Sequence, residues 1–290
     1  MDASATSSAD RPRLDALMQE AASRARAERA RNLALGLVFL AIAAVTYRAT
    51  EFSPGQLISQ APNMARILAG FAHPDLSIVQ PGKNGFAEGL VPHFMLQTLT
   101  IAVLGTSIGT VIAVPLSFLG AGNLMRRNPL GTLIYLVTRL FMSMVRAVPT
   151  IFWGLLFVVS VGIGPFPGVL AVTVFSVGLM SKLFSEAIEA IDLGQVEALT
   201  ATGASQLQVL MHAVMPQVLP YLVAHLLYTF EVNVHSATIL GLIGAGGIGF
   251  LFREYIEQFL YSQEATVLIV VILVTMVIDY SSAAIRRRII

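Results

Sequence analysis

Polar and apolar stretches alternate along the chain on the scale of a lipid bilayer. Residues 1–31 are polar and rich in Ala, Arg and Ser, with helix expected near 15–31, and 33–47 form the first apolar run. At about 1.5 Å per residue that run is short for a hydrocarbon layer of about 30 Å, so its flanks are expected to snorkel and the first membrane helix is set at 32–50. Residues 51–89 are polar again and carry Pro54, Pro62, Pro74 and Pro81, so only local helix is expected there, around 55–71. Leu90–Leu119 reads as the second span, interrupted by Pro115. Residues 131–160 make the third, unusual in holding Arg139, Arg146 and Pro149. A Gly/Pro turn over 162–168 precedes a fourth span at about 168–184. Residues 185–216 contain no run long enough to cross. A fifth span runs from about 217 to 236, a glycine-dense stretch occupies 241–249, and 265–285 is the sixth. The pattern predicts an all-α polytopic membrane protein with six spans.

Composition agrees. The 290 residues are 56% apolar and 12% charged, about half the charge of a soluble domain, and the mean hydropathy is +0.75. This excludes a disordered chain, a disulfide scaffold and almost any water-soluble enzyme. With no cysteine there is no disulfide, thiolate nucleophile or Cys-ligated metal. Net charge is only +1, yet six arginines (Arg11, Arg13, Arg24, Arg26, Arg29, Arg31) precede the first apolar run and Arg286, Arg287 and Arg288 close the chain. Because these clusters abut spans, they read as positive-inside flanks on a lipid bilayer, not as a nucleic-acid surface. The long polar start does not read as a cleaved signal peptide. With both termini inside, twelve of the eighteen Lys and Arg fall on the cytoplasmic side. That orientation makes 1–31 a cytoplasmic tail, 51–89 extracytoplasmic and 185–216 a cytoplasmic loop of a membrane domain covering 90–290.

The loop carries the informative motif. Glu197-Ala198-Leu199 is followed by Gly203 and, thirteen positions later, by Pro216 behind Ala213-Val214-Met215. Residues 197–202 suit one short helix, Gly203 permits a sharp change of direction, 204–215 suit a second helix, and Pro216 is expected to end it. The spacing resembles the EAA signature of ABC-importer permeases, with Leu199 and Ala213 as mild departures. In that family the second helix docks on an ATPase subunit, which assigns coupling to Glu197, Ala198, Gly203, Ala204, Ser205, Gln206 and Pro216. A lipid-surface helix is the bland alternative. Such helices favour cationic faces, whereas 185–216 holds Glu186, Glu189, Asp192 and Glu197 and neither Lys nor Arg.

Four further segments narrow the resemblance over roughly 70–288. They are Phe71-Ala-His-Pro-Asp-Leu-Ser77, Arg146-Ala-Val-Pro149, Lys182-Leu-Phe-Ser-Glu-Ala-Ile-Glu-Ala-Ile-Asp192, and the run from Glu231-Val-Asn-Val-His235 to Gly246-Gly247-Ile-Gly249. Together they resemble the phosphonate-importer permease family. That likeness implies a type I ABC-importer (MetI-like) domain: a five-helix core plus one N-terminal helix in the bacterial inner membrane. It also implies a homodimer, two ATPase subunits that carry ATP and Mg, an extracytoplasmic phosphonate-binding protein, and alternating access. No cofactor, metal or catalytic residue is expected on this chain itself.

Candidate pathway or gate residues are Arg146, Glu231, Asn233, His235, Gly246 and Gly247. A charge deep in a span faces protein or water, so Arg146 is read either as an oxyanion guide or as a partner of Glu231 or of a carbonyl freed by Pro149. Arg139 reads as structural. Where the family pattern suggests Arg, this chain has His235; a free imidazole is mostly neutral at pH 7, so no permanent charge is supplied, although Glu231 one turn earlier is close enough to hold it protonated. The glycines at 241–249 lack the Lys-Ser/Thr of a phosphate loop and are expected to permit close packing or a re-entrant turn. Alternatives are a permease for methionine, thiamine or another small solute, a secondary transporter working without ATP, or a scaffold.

Overall fold

The computed structural model describes residues 11–50, 53–82, 89–126 and 128–289. They contain helices and turns and, among the described residues, no strand. The chain divides into two units, 1–65 and 66–290. In the first, α1 (Arg11–Ala49) merges the expected tail helix with the first membrane helix. It is followed by α2 (Pro54–Ser59) and the start of α3 (Ala61–Phe71).

The second unit contains a 3-10 turn (Leu76–Val79), then α4 (Leu90–Leu119), α5 (Gly122–Met125), α6 (Pro129–Ala147), α7 (Thr150–Val161) and α8 (Pro165–Glu189). After these come α9 (Leu193–Ala201), α10 (Gln206–Val209), a π-helical turn (Leu210–Val214), α11 (Met215–Gly241), α12 (Ile248–Glu257) and α13 (Tyr261–Ile289). Among the described residues, six helical stretches are long and apolar enough to cross a bilayer, the fifth counted from Leu207 to Gly241.

Proline positions depart from expectation in three places. The third span is broken into α6 and α7 at Val148-Pro149. Pro149 cannot donate to the helix, and its ring drives Val148 into an extended conformation (φ −90°, ψ 117°). Pro216 does not end a helix; it stands in the first turn of α11, directly after the π turn. A proline ring collides with the carbonyl four residues back in a regular α-helix. The wider π turn relaxes that crowding, so the helix passes from loop to membrane unbroken. Pro115 likewise lies inside α4 without ending it.

Helix α8 is the hub. More than half of its most apolar window is buried, against almost none of α13, and it packs on α4, α6, α7 and α11. Helices α4 and α8 run parallel and meet through glycine. A Cβ on Gly105 would lie 2.5 Å from Val172 Cγ1, and one on Gly109 would lie 2.5 Å from Ser176 Cβ. Outward faces are apolar and bare, with Val159 85% and Val111 74% exposed, as expected of surfaces turned to lipid or to another membrane helix.

Candidate functional site

The loop between α8 and α11 is shorter than the sequence suggested, because α8 continues to Glu189. Two of the four acids assigned to it are therefore on α8 and already paired: Glu186 with Lys182 at 3.5 Å, and Glu189 with Arg139 at 2.7 Å. What remains is a compact bent pair of helices. Asp192 caps α9 by accepting the Gly194 N–H at 2.8 Å, and its own N–H donates to Gln217 Oε1 at 2.9 Å, tying the loop root to the start of α11. Glu197 and Ala198 are exposed on α9. The turn is made at Gly203, whose φ of +81° is left-handed. Nothing lies within 4 Å of a Cβ built there, so the requirement for glycine is conformational, not spatial.

Beyond it, Ser205 and Gln208 form a reciprocal cap: the Ser205 N–H donates to Gln208 Oε1 at 2.8 Å and the Gln208 N–H donates to Ser205 Oγ at 3.4 Å. The Ser-x-x-Gln spacing of a capping box was present in the sequence and would have identified this helix start. Leu199, Gly203, Ala204, Gln208 and His212 line one open concavity of about 360 Å³. Ala204 is half-buried, Pro216 is exposed, and Gln206 opens α10.

At the root of this loop a polar junction ties α6 to the ends of α4 and α8. Arg139 Nε donates to the Gly120 carbonyl at 2.8 Å while its Nη2 holds Glu189 Oε1, which also accepts the Gly122 N–H at 2.6 Å. Asn123 donates to the Ile188 carbonyl at 2.8 Å, and the Arg139 and Arg126 guanidinium groups lie 5.4 and 5.3 Å from the Tyr135 ring centre. Arg139 is structural, as its position suggested.

Seven residues on, Arg146 differs. Its backbone abuts Gly178, half-way along α8, and its side chain is exposed. Among the described residues none forms an ion pair or hydrogen bond with it, so neither Glu231 nor a carbonyl near Pro149 takes the role of partner.

The candidates on α11 separate into different environments. Asn233 is fully buried and donates to Thr106 Oγ1 and Ser176 Oγ, both at 2.7 Å, joining α11 to the middles of α4 and α8. Within this chain it is a packing residue and lines no surface. His235 is exposed, and its Nδ1 donates to the Glu231 backbone carbonyl at 2.9 Å. The Glu231 carboxylate is not its partner. It accepts instead from Arg286 Nη2 of α13 at 2.9 Å. Arg286, the first of the three arginines on the topological flank, is half-buried against α11 while Arg287 and Arg288 are exposed.

Gly246 and Gly247 are buried with left-handed φ of +76° and +82°. Their turn packs on Pro165 and Thr98, and the N–H groups of Gly247 and Ile248 donate to Gln97 Oε1 and Thr98 Oγ1, both at 2.7 Å. From there α12 runs antiparallel to α4, Phe250 stacking on Phe94 with ring centres 6.1 Å apart, so the chain dips to the level of Thr98 and returns. A bent, exposed loop is thus joined by one uninterrupted helix to a membrane body that presents an unpaired cation.

Residues 113–290 match the model of a family described as binding-protein-dependent transport system inner membrane component. The chain belongs to that family. This permease-family chain is 36% identical over 231 residues to the phosphite transport system permease protein PtxC of Stutzerimonas stutzeri, covering 80% of this chain and 79% of the relative. It is 33% identical over 239 residues to the phosphate-import permease protein PhnE of Mycolicibacterium smegmatis, covering 82% of this chain and 42% of that longer relative. Among solved structures, an inward-facing form of the MetNI methionine ABC transporter superposes with a TM-score of 0.61 at 22% identity, over 69% of this chain and 96% of that one. That likeness establishes the fold of an ABC-importer transmembrane subunit. The chain is accordingly a multi-pass membrane permease.

Proposed function

We propose that this permease forms the translocation pathway of an ATP-driven importer for phosphorus oxyanions, phosphonate or phosphite. In this reading two copies work with two ATPase subunits, which hold ATP and Mg, and with one extracytoplasmic binding protein. Both termini lie in the cytoplasm of a bacterium, and the loop from Glu197 to Pro216 receives the ATPase movement. Loaded binding protein docks outside, nucleotide-driven closure draws the two loops together, and the spans open outward before hydrolysis returns them.

The observation that carries the substrate class is Arg146, an exposed and unpaired cation half-way along the spans. Such a charge is too costly to face lipid. It therefore marks the water-filled or partner-facing side, where a fixed positive charge attracts an oxyanion. The phosphite and phosphate named for the two relatives share that chemistry.

The test uses the chain in liposomes with its cognate ATPase and binding protein, scoring ATP hydrolysis against phosphonates, phosphite, phosphate, methionine and thiamine. Stimulation by phosphonate or phosphite, lost on replacing Gly203 or Glu197, is the expected result. Stimulation by methionine or thiamine alone would overturn the substrate class, and failure to form any ATPase complex would overturn the coupling role.

A further inference from the structure

The charges near mid-span do not add up to an anion pathway unless one of them is cancelled. Packing gives their levels along α8: the Arg146 backbone lies against Gly178, and Asn233, two residues after Glu231, lies against Ser176. Two residues of α-helix rise about 3 Å, so Arg146 and Glu231 sit at nearly one depth. Glu231 and His235 are four apart on α11 and share a face, with Cβ atoms about 6 Å apart, and His235 is exposed. A bare carboxylate at Glu231 would oppose Arg146 and repel an oxyanion passing His235. His235 makes no hydrogen bond to that carboxylate, because its Nδ1 proton goes to the backbone carbonyl.

We propose that Arg286 determines charge selectivity by neutralising Glu231, leaving Arg146 as the uncompensated charge at mid-span. This rests on the oxyanion-permease reading above. The pairing is made across helices at 2.9 Å, with the carboxylate side chain 14% and the guanidinium side chain 31% exposed, so water weakens it little. It also explains why the first arginine of the closing cluster is turned inward although its two neighbours are exposed. Arg286 touches no substrate in this arrangement. It acts through Glu231, as a positioning and charge-setting residue.

The test reads local potential directly. The chain contains no cysteine, so His235→Cys provides a single thiol in the assembled complex, and its modification by an anionic and by a cationic methanethiosulfonate reagent is followed by mass on the permease. In the Arg286→Gln background the anionic-to-cationic rate ratio should fall about tenfold or more, as expected for an unscreened unit charge some 6–8 Å away. In the Glu231→Gln background it should rise, and in the Arg286→Gln/Glu231→Gln double variant it should return to within about threefold of the starting ratio. Equal ratios in all four backgrounds would reduce the pair to a helix clamp and overturn the proposal, as would a thiol inert to both reagents. Because no substrate is used, these outcomes are independent of the liposome assay: if phosphite and phosphonate fail there while the ratios behave as stated, the substrate reading falls and the charge arrangement stands.

Discussion

Replacing Gly109 by Ala places a methyl group where α4 and α8 touch. Its carbon would lie 2.5 Å from Ser176 Cβ and 3.3 Å from the Thr173 carbonyl oxygen. Neither is a flexible side-chain end, so the two helices must separate by about 1 Å to restore van der Waals contact. Overpacking of this kind costs about 1–3 kcal/mol. Separation also stretches the bridge in which Asn233 donates to Thr106 and Ser176 at 2.7 Å. Losing one of these bonds leaves a buried amide proton unsatisfied, at about 1–3 kcal/mol. Alanine recovers up to about 1 kcal/mol through its better helix propensity. The net expectation is a destabilisation of about 1–5 kcal/mol. Thermal unfolding of the purified permease in detergent, followed by circular dichroism, reads it as a lowered midpoint. The diagnostic variant is the swap Gly109→Ala/Ser176→Gly, which removes the opposing Cβ and leaves only one lost Asn233 bond and one helical glycine. The swap should be more stable than Gly109→Ala combined with Ser176→Ala, which keeps both methyl carbons. An unchanged midpoint for Gly109→Ala, or a swap no better than that double alanine, would refute a packing contact limited by this single Cβ.

Three other expectations follow from the loop and the charges. Gly203→Val forces a β-branched residue into a left-handed conformation, at about 1–2 kcal/mol or more; binding-protein-stimulated ATP hydrolysis should fall several-fold while gel filtration still shows an assembled complex. Arg139→Gln removes charge-assisted bonds to Glu189 and Gly120, each contributing about 1.5–3 kcal/mol, so the unfolding midpoint should drop and transport per ATP hydrolysed should decline; intact values for both would show the junction to be idle. Arg146→Gln should leave the midpoint near that of the unaltered chain, since no partner is lost, but reduce phosphite uptake in liposomes about tenfold; normal uptake with intact assembly would sink the guiding role.

Much of the architecture was legible because span length and polarity are one-dimensional properties. Apolar runs, the loop motif and the turn at Gly203 can be placed by counting residues, and the Ser205–Gln208 cap is equally visible in the Ser-x-x-Gln spacing. Pairings across the fold were not. Periodicity put Glu231 and His235 on one face of α11 correctly, but a face does not name the helix it meets, and Arg286, 55 residues away, supplied the partner. The same limit placed Asn233 in the pathway when its amide is buried between α4 and α8. Pro149 splits a span, whereas Pro216 is accommodated by a wider turn that includes the buried Ala213 and Val214.

That wider turn also has a bearing on angular phase. An α-helix advances about 100° per residue, and a π turn inserts roughly one residue into the winding. Everything from Gln206 to Val209 is therefore rotated by about a quarter-turn or more relative to where an unbroken helix would carry it from α11. Which way each side of α10 faces is thus set by one surplus residue among Leu210–Val214. Deleting a single residue there would keep the helix continuous and re-aim α10, so indels in these five positions should behave as changes of orientation, quite unlike substitutions at the same sites.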